Sequence, residues 1–211
     1  TGMHKLFFLC SPNNPTGNSF SLKQIETIAN RFVGITVVDE AYIDFSERES
    51  AVSLIEKNDR IVVLRTLSKA WGLANVRIGI AIAAPSIIKI MHHVKYPYNL
   101  SGIQQELAIE ALQKREEVLL TVAEIKSERE RVAKELKKFP FVQKVFPSDA
   151  NFILARFDDA PRVYSMLLKK GIIIRKRTTL RGCYGCLRLT IGSVEENDAV
   201  LAALESLKEQ L

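Results

Sequence analysis

The sequence predicts an α/β protein in which helices cover both faces of a largely parallel β-sheet. The first observation is that short apolar runs alternate with segments of helical periodicity, the pattern of parallel strands joined by crossover helices. The second is that polar residues, or loops rich in proline and glycine, follow these runs. The strand-like runs of the first half are Lys5–Cys10, Ile35–Asp39 and Arg60–Leu64.

The segments between these runs predict the helices. Ser21 is a suitable N-cap, apolar residues follow it at helical spacing, and Gly34 ends the segment. A shorter helix is predicted over Ala51–Lys57. Beyond the third strand, the predicted helices are Pro85–Val94, Gly102–Gln113 and Glu116–Lys138.

The last part of the chain predicts a smaller α/β domain. Its predicted elements are strand Phe152–Phe157, helix Pro161–Lys170, strand Ile172–Arg175, strand Leu187–Ile191 and helix Val194–Leu211. The composition does not shift sharply anywhere, so we place the boundary at the long charged helix. Residues 1–115 are then part of a large domain, and residues 116–211 form the small C-terminal domain.

Composition narrows the class of function. The 211 residues are 47% hydrophobic and carry a formal charge of +6, but no apolar run reaches the roughly 20 residues of a membrane-spanning helix. Basic residues alternate with acidic ones instead of forming a stripe, which argues against nucleic-acid binding and favours small anionic substrates. Cys183 and Cys186 have CxxC spacing but no second ligand pair, so we expect no metal site and reduced cysteines.

The stretch Leu64–Gly79 carries the most informative side chains. Lys69 follows a strand-like run, and a lysine held there with its amine partly desolvated would be a nucleophile for a carbonyl group. Thr66, Ser68 and Arg77 supply hydroxyl and guanidinium donors that suit a phosphate dianion. An amine beside a phosphate-binding set indicates pyridoxal phosphate, although a surface lysine after a serine is the plainer alternative when this stretch is taken alone.

Two further motifs precede this stretch, SPNNPTG at Ser11–Gly17 and VVDEAY at Val37–Tyr42. Together with TLSKAWGLANVRIG, and with GIIIR and CLRLTIG near the C-terminus, they resemble the histidinol-phosphate aminotransferase family. The resemblance implies the fold type I architecture of pyridoxal-phosphate-dependent transferases. Asn14, Asp39 and Lys69 each follow or end a predicted strand, where parallel sheets bind their ligands.

The resemblance also implies roles for the residues around the cofactor. Asp39 would contact the pyridine nitrogen, and Tyr42 and Asn14 would hydrogen-bond the phenolic oxygen. Lys69 would bond covalently to the cofactor and then act as the base that moves the substrate proton. A role for Glu40 beyond structure is left open. The phosphate would be held by Thr66, Ser68 and Arg77.

Three residues of the C-terminal part are candidates for substrate binding. Arg188 lies inside a strand-like run, where a buried guanidinium needs an anionic partner, in a structural salt bridge or in a ligand. By the resemblance, Arg188 binds the substrate carboxylate in a bidentate pair. Arg175, thirteen residues earlier, would meet the substrate phosphate, and Asn151 is a plausible neighbour of the carboxylate site.

The implied activity is amino-group exchange between L-histidinol phosphate and 2-oxoglutarate, in a cytoplasmic homodimer of histidine biosynthesis. An aromatic aminotransferase or a threonine-phosphate decarboxylase would share the cofactor site, and a regulator module of this fold would bind ligands without catalysis. Members of this family are longer than 211 residues. We therefore expect this chain to lack part of the cofactor and partner-subunit contacts, to leave sheet edges or apolar faces exposed, and to have little activity alone.

Overall fold

The computed structural model describes residues 4–208, which form two compact units. The first unit contains residues 4–13 and 19–120, and the second contains residues 14–18 and 121–208. This division falls inside a long helix, and a short loop segment of the first half of the chain belongs to the second unit. The domain boundary at 115/116 stays a prediction.

The first unit is built on a four-stranded sheet in the order β1-β2-β3-β4. Strands β1 (Leu6–Cys10), β2 (Ile35–Asp39) and β3 (Ile61–Thr66) are parallel, as the sequence predicts. Strand β4 (Gly79–Ala83) is antiparallel to β3. The connection between the two strands contains a 3₁₀ turn at Ala74–Val76 but no α-helix, whereas the crossover to a parallel partner usually contains one.

Helix α1 (Leu22–Arg31) covers one face of this sheet. Its start is the predicted Ser21, which forms a capping box with Gln24 and so satisfies two of the backbone groups left open at a helix start. The predicted helix 51–57 is instead a single 3₁₀ turn at Ala51–Leu54. Helices α2 (Pro85–Val94) and α3 (Gly102–Gln113) agree with the predicted ranges.

Much apolar surface of the first unit is exposed. In β1, Phe8 is 61% exposed and Leu6 52%, so the expectation of helices covering both faces does not hold for this strand. Helices α2 and α3 bury few side chains, and Ile103 of α3 is 70% exposed. Exposed apolar side chains in this number are unusual on the surface of a folded domain.

The second unit contains an antiparallel sheet in the order β5-β6-β8-β7. Helix α4 (Arg115–Leu136) leads into it from the first unit. The remaining elements are β5 (Val142–Val145), β6 (Phe152–Phe157), α5 (Ala160–Lys169), β7 (Arg175–Lys176), β8 (Cys186–Thr190) and α6 (Val194–Glu205). Its core contains Leu136, Ile153, Leu167, Leu187 and Leu204, all at most 1% exposed.

Two predictions for this unit need correction. The predicted strand Ile172–Arg175 is wrong, because only Arg175 and Lys176 pair with β8. Ile172 instead closes the end of α5 by donating its N–H to the Leu167 carbonyl at 3.0 Å, and its side chain packs on the core. Strand β5 was not predicted. The predicted helix 194–211 is too long, because α6 ends at Glu205 and residues 206–208 form a turn, while residues 209–211 lie outside the described part.

A buried polar cluster joins α4 to α6. Glu128, which is 7% exposed, accepts two hydrogen bonds from Arg131 at 2.7 Å and one from the Asn197 amide at 2.9 Å. Asn197 also exchanges hydrogen bonds with the backbone of Gly192. The Arg131 guanidinium, followed by the amide of Asn197, holds the pKa of the Glu128 carboxyl below its usual range.

Replacing Glu128 by glutamine should reduce the decrease in the free energy of unfolding that the chain undergoes at acidic pH. A carboxylate whose pKa is lowered in the folded state stabilises the fold above its unfolded pKa of about 4.3, and this contribution is lost as the pH falls through the lowered value. Urea unfolding at neutral and acidic pH should show a smaller acid loss in Glu128→Gln than in the parent. Glu130→Gln, an exposed site on the same helix, is the control. Equal acid losses in Glu128→Gln and the parent would contradict the assignment.

Candidate functional site

The carboxyl ends of β2 and β3 form the edge of the first unit that carries the predicted cofactor residues. Asp39 ends β2 and is paired in register with Leu64 of β3, and Thr66 ends β3. Asp39 and Thr66 line the same hollow of about 360 Å³, together with residues of β4. Parallel sheets bind ligands at this edge, so two of the predicted residues share a place where a small molecule can bind.

Asp39 is half-buried at the rim of this hollow. One carboxylate oxygen, Oδ1, accepts the backbone N–H of Ala41 at 3.0 Å. Ser11, at the end of β1, donates its backbone N–H to the Asp39 carbonyl at 2.9 Å. One hydrogen bond to the Asp39 carbonyl and one to its carboxylate therefore restrict the orientation of this side chain.

The turn after β3 is organised by the hydroxyl of Thr66. Thr66 Oγ1 accepts the backbone N–H of Ser68 at 3.1 Å, lies 3.0 Å from Ser68 Oγ, and donates to the Ile78 carbonyl at 3.2 Å. The two predicted phosphate-binding hydroxyls are thus neighbours. Two adjacent hydroxyls at a strand end are suitable donors for an anionic oxygen.

Lys69 lies in the same turn, with Nζ 5.4 Å from the centre of the Tyr42 ring. The predicted partial desolvation of its amine is wrong for the described chain, because the residue is exposed. The turn closes through the Leu73 N–H on the Leu67 carbonyl at 3.0 Å and buries Leu67, which turns Lys69 outward. The structure nevertheless brings together Lys69 and the predicted Tyr42, which is 9% exposed.

Arg77 stands apart from the hydroxyl pair in its hydrogen bonding. Its guanidinium donates to the Ala74 carbonyl at 3.0 Å, and the residue is exposed. Its φ of 59° makes it the non-glycine residue with positive φ among residues 4–208. Such a conformation is uncommon outside glycine, asparagine and aspartate. The residues just before Arg77 form the 3₁₀ turn Ala74–Val76.

One charged residue beside this edge, Arg65, was not predicted from the sequence. It lies on β3 between Leu64 and Thr66, and its guanidinium contacts Glu40 at 3.6 Å and Asp44 at 2.6 Å. The available signal was its position in the strand. Arg65 lies on the same face of β3 as the buried Ile61 and Val63, because side chains two residues apart in a strand share a face. A charged side chain on this face requires an acidic partner.

The second unit holds the remaining predicted residues. Arg188 on β8 is half-buried, donates from Nη1 to the Asn14 side-chain oxygen at 2.8 Å, and lies 4.7 Å over the Phe152 ring. Arg175 on β7 is exposed and is the register partner of Arg188. Directly opposed residues of antiparallel strands point to the same face, so the two guanidinium groups leave one face of this sheet.

Asn151 precedes β6 and is half-buried. Its carbonyl accepts the backbone N–H of Ile191, just beyond β8, at 2.9 Å. The register of β6 and β8 pairs Leu154 with Arg188. Asn151 is therefore fixed through its backbone on the strand next to the one that carries Arg188.

The Asn14–Asn18 loop is held on the second unit by a close backbone approach. Gly17 has φ +77°, and its carbonyl accepts the Asp149 N–H at 2.7 Å. A Cβ added to Gly17 would lie 2.7 Å from Ser148 Cβ, well inside contact distance. Only glycine satisfies both the conformation and the space, and this contact keeps Asn14 beside Arg188.

Gly17→Ala should destabilise the second unit more than Gly171→Ala does. Gly171 has the same φ of +77° but nothing within 4 Å of an added Cβ, so it isolates the conformational cost. We expect about 1–2 kcal/mol for Gly171→Ala and about 1–3 kcal/mol more for Gly17→Ala, from the collision with Ser148. Urea unfolding measures both. Equal losses in the two variants would contradict the close approach at Gly17.

Two searches of residues 4–208 gave negative results. No helix in this range is long and apolar enough to cross a membrane. No group of three or more His, Cys, Asp or Glu side chains in the same range is placed to hold a metal ion.

Sequence and structure comparisons gave consistent matches. The family model described as aminotransferase class I and II matches residues 2–204. A histidinol-phosphate aminotransferase of Flavobacterium johnsoniae is 47% identical over 203 residues, which are 96% of this chain and 58% of the relative. The chain therefore spans less than two thirds of that relative's length.

Solved structures match with similar coverage. The crystal structure of the histidinol-phosphate aminotransferase from Clostridium acetobutylicum matches with a TM-score of 0.90 and 26% identity, over 98% of this chain and 65% of that one. The enzyme from Sinorhizobium meliloti, solved in complex with pyridoxal-5'-phosphate, matches with a TM-score of 0.89 and 23% identity, over 98% of this chain and 58% of that one.

Proposed function

Because this chain belongs to the aminotransferase class I and II family, we propose that it forms part of a pyridoxal-phosphate-dependent enzyme. The reaction is amino-group exchange between L-histidinol phosphate and 2-oxoglutarate. The chain has the fold type I architecture of pyridoxal-phosphate-dependent transferases. The observation that carries the proposal is the turn after β3, where Lys69 follows the paired hydroxyls of Thr66 and Ser68.

The donor set of the first unit fits pyridoxal phosphate group by group. Lys69 offers a primary amine to the aldehyde, and Asp39 offers a carboxylate to the ring nitrogen. Tyr42 offers a phenol to the ring hydroxyl. Thr66 and Ser68 offer hydroxyls to the phosphate, and Arg77, which donates to the Ala74 carbonyl in the described chain, offers a guanidinium. Asn14 is assigned to the same ring oxygen as Tyr42.

Bound pyridoxal phosphate supplies an electron sink that stabilises negative charge on the substrate carbon. The chain's own residues do the rest. Asp39 keeps the ring nitrogen protonated, which maintains the sink. Lys69 would be the general base, with Nζ holding the proton taken from the substrate carbon. Tyr42, packed 5.4 Å from Lys69 Nζ, limits the directions that the amine can take.

The second unit supplies the anion-binding groups for the substrates. Arg175 and Arg188 leave one face of the β7–β8 pair, and guanidinium groups bind carboxylate and phosphate oxygens in bidentate pairs. We assign the phosphate of histidinol phosphate, or the distal carboxylate of 2-oxoglutarate, to Arg175. We assign the α-carboxylate to Arg188, with Asn151 as its neighbour.

The proposal extends to the protein as a whole. A cytoplasmic homodimer is the state that we expect, and the exposed apolar side chains of α2 and α3 support association with another polypeptide. The large domain would end at residue 115, and the small domain would comprise 116–211. Since the chain spans 58% of a relative's length, we propose that the 211 residues alone have little activity.

An amino-donor panel tests the proposed substrate. In a protein of the relatives' full length that contains this sequence, histidinol phosphate with 2-oxoglutarate should give the highest kcat/KM. Higher values with phenylalanine or tyrosine would indicate an aromatic aminotransferase, and carbon dioxide release from threonine phosphate would indicate a decarboxylase. Cofactor binding without turnover of any donor would indicate a regulator module. Each of these three results would contradict the proposed substrate.

A further inference from the structure

The buried carboxylate of Glu40 lies directly behind the predicted cofactor edge. It is 1% exposed and accepts two hydrogen bonds, from Ser50 Oγ at 2.6 Å and the Ala51 N–H at 2.6 Å, and it forms an ion pair with Arg65 Nη1 at 3.6 Å. Burial raises the pKa of this carboxyl, against the effect of its hydrogen bonds. A charge held there is costly unless it is paired and hydrogen-bonded.

The Arg65 guanidinium connects this carboxylate to a second acid. Its Nη2 lies 2.6 Å from Asp44 Oδ1, while Nη1 faces Glu40. Asp44 belongs to the 3₁₀ turn that follows Tyr42. Arg65 therefore contacts one acidic side chain before Tyr42 in the sequence and one after it.

The two charged residues of this network are adjacent in sequence to residues of the candidate site. Asp39 precedes Glu40 and Thr66 follows Arg65, so alternation along the chain directs the charged side chains away from those of Asp39 and Thr66, while Arg65 also forms part of the lining of their hollow. The Glu40 N–H donates to the Leu64 carbonyl at 2.9 Å, which fixes the two chain ends at this point. A change in the distance between Glu40 and Arg65 must then move the Asp39 and Thr66 side chains relative to each other.

We propose that Glu40 and Arg65 are positioning residues that set the spacing between the Asp39–Tyr42 turn and the Thr66–Lys69 turn. Stability alone is a weak reason for such a pair, since exchanging a buried ion pair for apolar residues is often neutral or stabilising. The geometry gives a second reason, because the pair joins the two strand ends from which a cofactor would be held. The consequence for catalysis rests on the proposed function, whereas the spacing of the two turns does not.

Trp71 provides a ligand-free readout of this spacing. It is the single tryptophan of the chain and lies two residues after Lys69, in the turn in question. In the folded chain, Glu40→Gln and Arg65→Met should each change the acrylamide quenching and the emission maximum of Trp71. Glu128→Gln and Arg131→Met, which break the ion pair of the second unit, should leave both unchanged.

Pyridoxal phosphate binding, followed by its absorbance, provides the second readout. We expect its dissociation constant to rise about tenfold in both site variants, as is typical when a partner that supports a binding residue is lost. The double variant Glu40→Gln/Arg65→Met separates positioning from stability. It removes the charge of both Glu40 and Arg65 and leaves only the half-buried Asp44 without its partner, so its urea midpoint should recover in part, while its Trp71 quenching and its dissociation constant should stay altered.

A double variant with parental Trp71 quenching and parental pyridoxal phosphate affinity would overturn the proposal and leave the pair a purely structural one. If the parent chain binds no pyridoxal phosphate, the Trp71 measurement decides alone. Altered quenching then supports the positioning role even though the proposed function has failed, and unchanged quenching in the folded variants rejects it.

Discussion

Replacing Lys69 by alanine is expected to abolish transamination in a protein of the relatives' full length that contains this sequence. The variant loses the amine that bonds to the cofactor and the base that moves the substrate proton, and general base catalysis alone contributes about 10²–10⁴-fold. Cofactor affinity should fall less than turnover, because Asp39, Thr66 and Ser68 keep their hydrogen-bonded positions. Single-turnover kinetics and a cofactor titration measure the two effects separately.

Lys144→Ala is the matched control for this prediction. Lys144 also places its amine over an aromatic ring, 4.9 Å from the centre of Phe146, but it lies on β5 of the second unit. It should retain parental turnover. A Lys69→Ala protein that still transaminates at more than a few per cent of the parental rate would refute the role of Lys69.

Replacing Arg175 by alanine is expected to change substrate preference instead of abolishing activity. Arg175 is exposed in the described chain, so we expect the low end of the cost of removing a charged partner, about 2 kcal/mol, or about 30-fold in kcat/KM. This loss should affect histidinol phosphate and 2-oxoglutarate, which both carry an anion at that end. A neutral aromatic donor should hardly be affected.

Lys176 is the next residue on the same strand, and its exposed amine lies 4.0 Å over the Tyr164 ring. Lys176→Ala should leave kcat/KM unchanged for both the phosphorylated and the neutral donor. Arg188→Ala should weaken the binding of every substrate that carries an α-carboxylate. Histidinol phosphate lacks this group, so its sensitivity to Arg188→Ala shows whether both arginines bind the phosphate together. Equal losses for phosphorylated and neutral donors in Arg175→Ala would identify Arg175 as a structural residue.

The elements of the first unit were predictable because their signals are local. Strands β1, β2 and β3 are short apolar runs, and α1 begins at a serine with a capping box. The direction of β4 was not predicted, since an apolar run is the same whichever way its strand is paired. Ile172 and Ile174 have the composition of a strand, but their side chains pack on the core without ladder hydrogen bonds.

The candidate site was predictable to a similar extent. The motifs identified Asp39, Thr66, Ser68 and Lys69, and the parallel strand ends explain why the first two line one hollow. The exposure of Lys69 depends on which other side chains cover the turn, which no local pattern encodes. The partnership of Glu40 with Arg65 is also non-local, because it joins residues 25 positions apart across two strands.

The most direct test of the central claim is borohydride reduction of the chain in the presence of pyridoxal phosphate, followed by peptide mapping. The chain has many exposed lysines that react slowly with any aldehyde, so the readout is the site occupied first at low pyridoxal phosphate concentration. The account predicts a single early adduct on Lys69, which Asp39→Ala reduces and which Lys144→Ala leaves unchanged. Early labelling of another lysine, or equal labelling of Lys69 and Lys144, would contradict it.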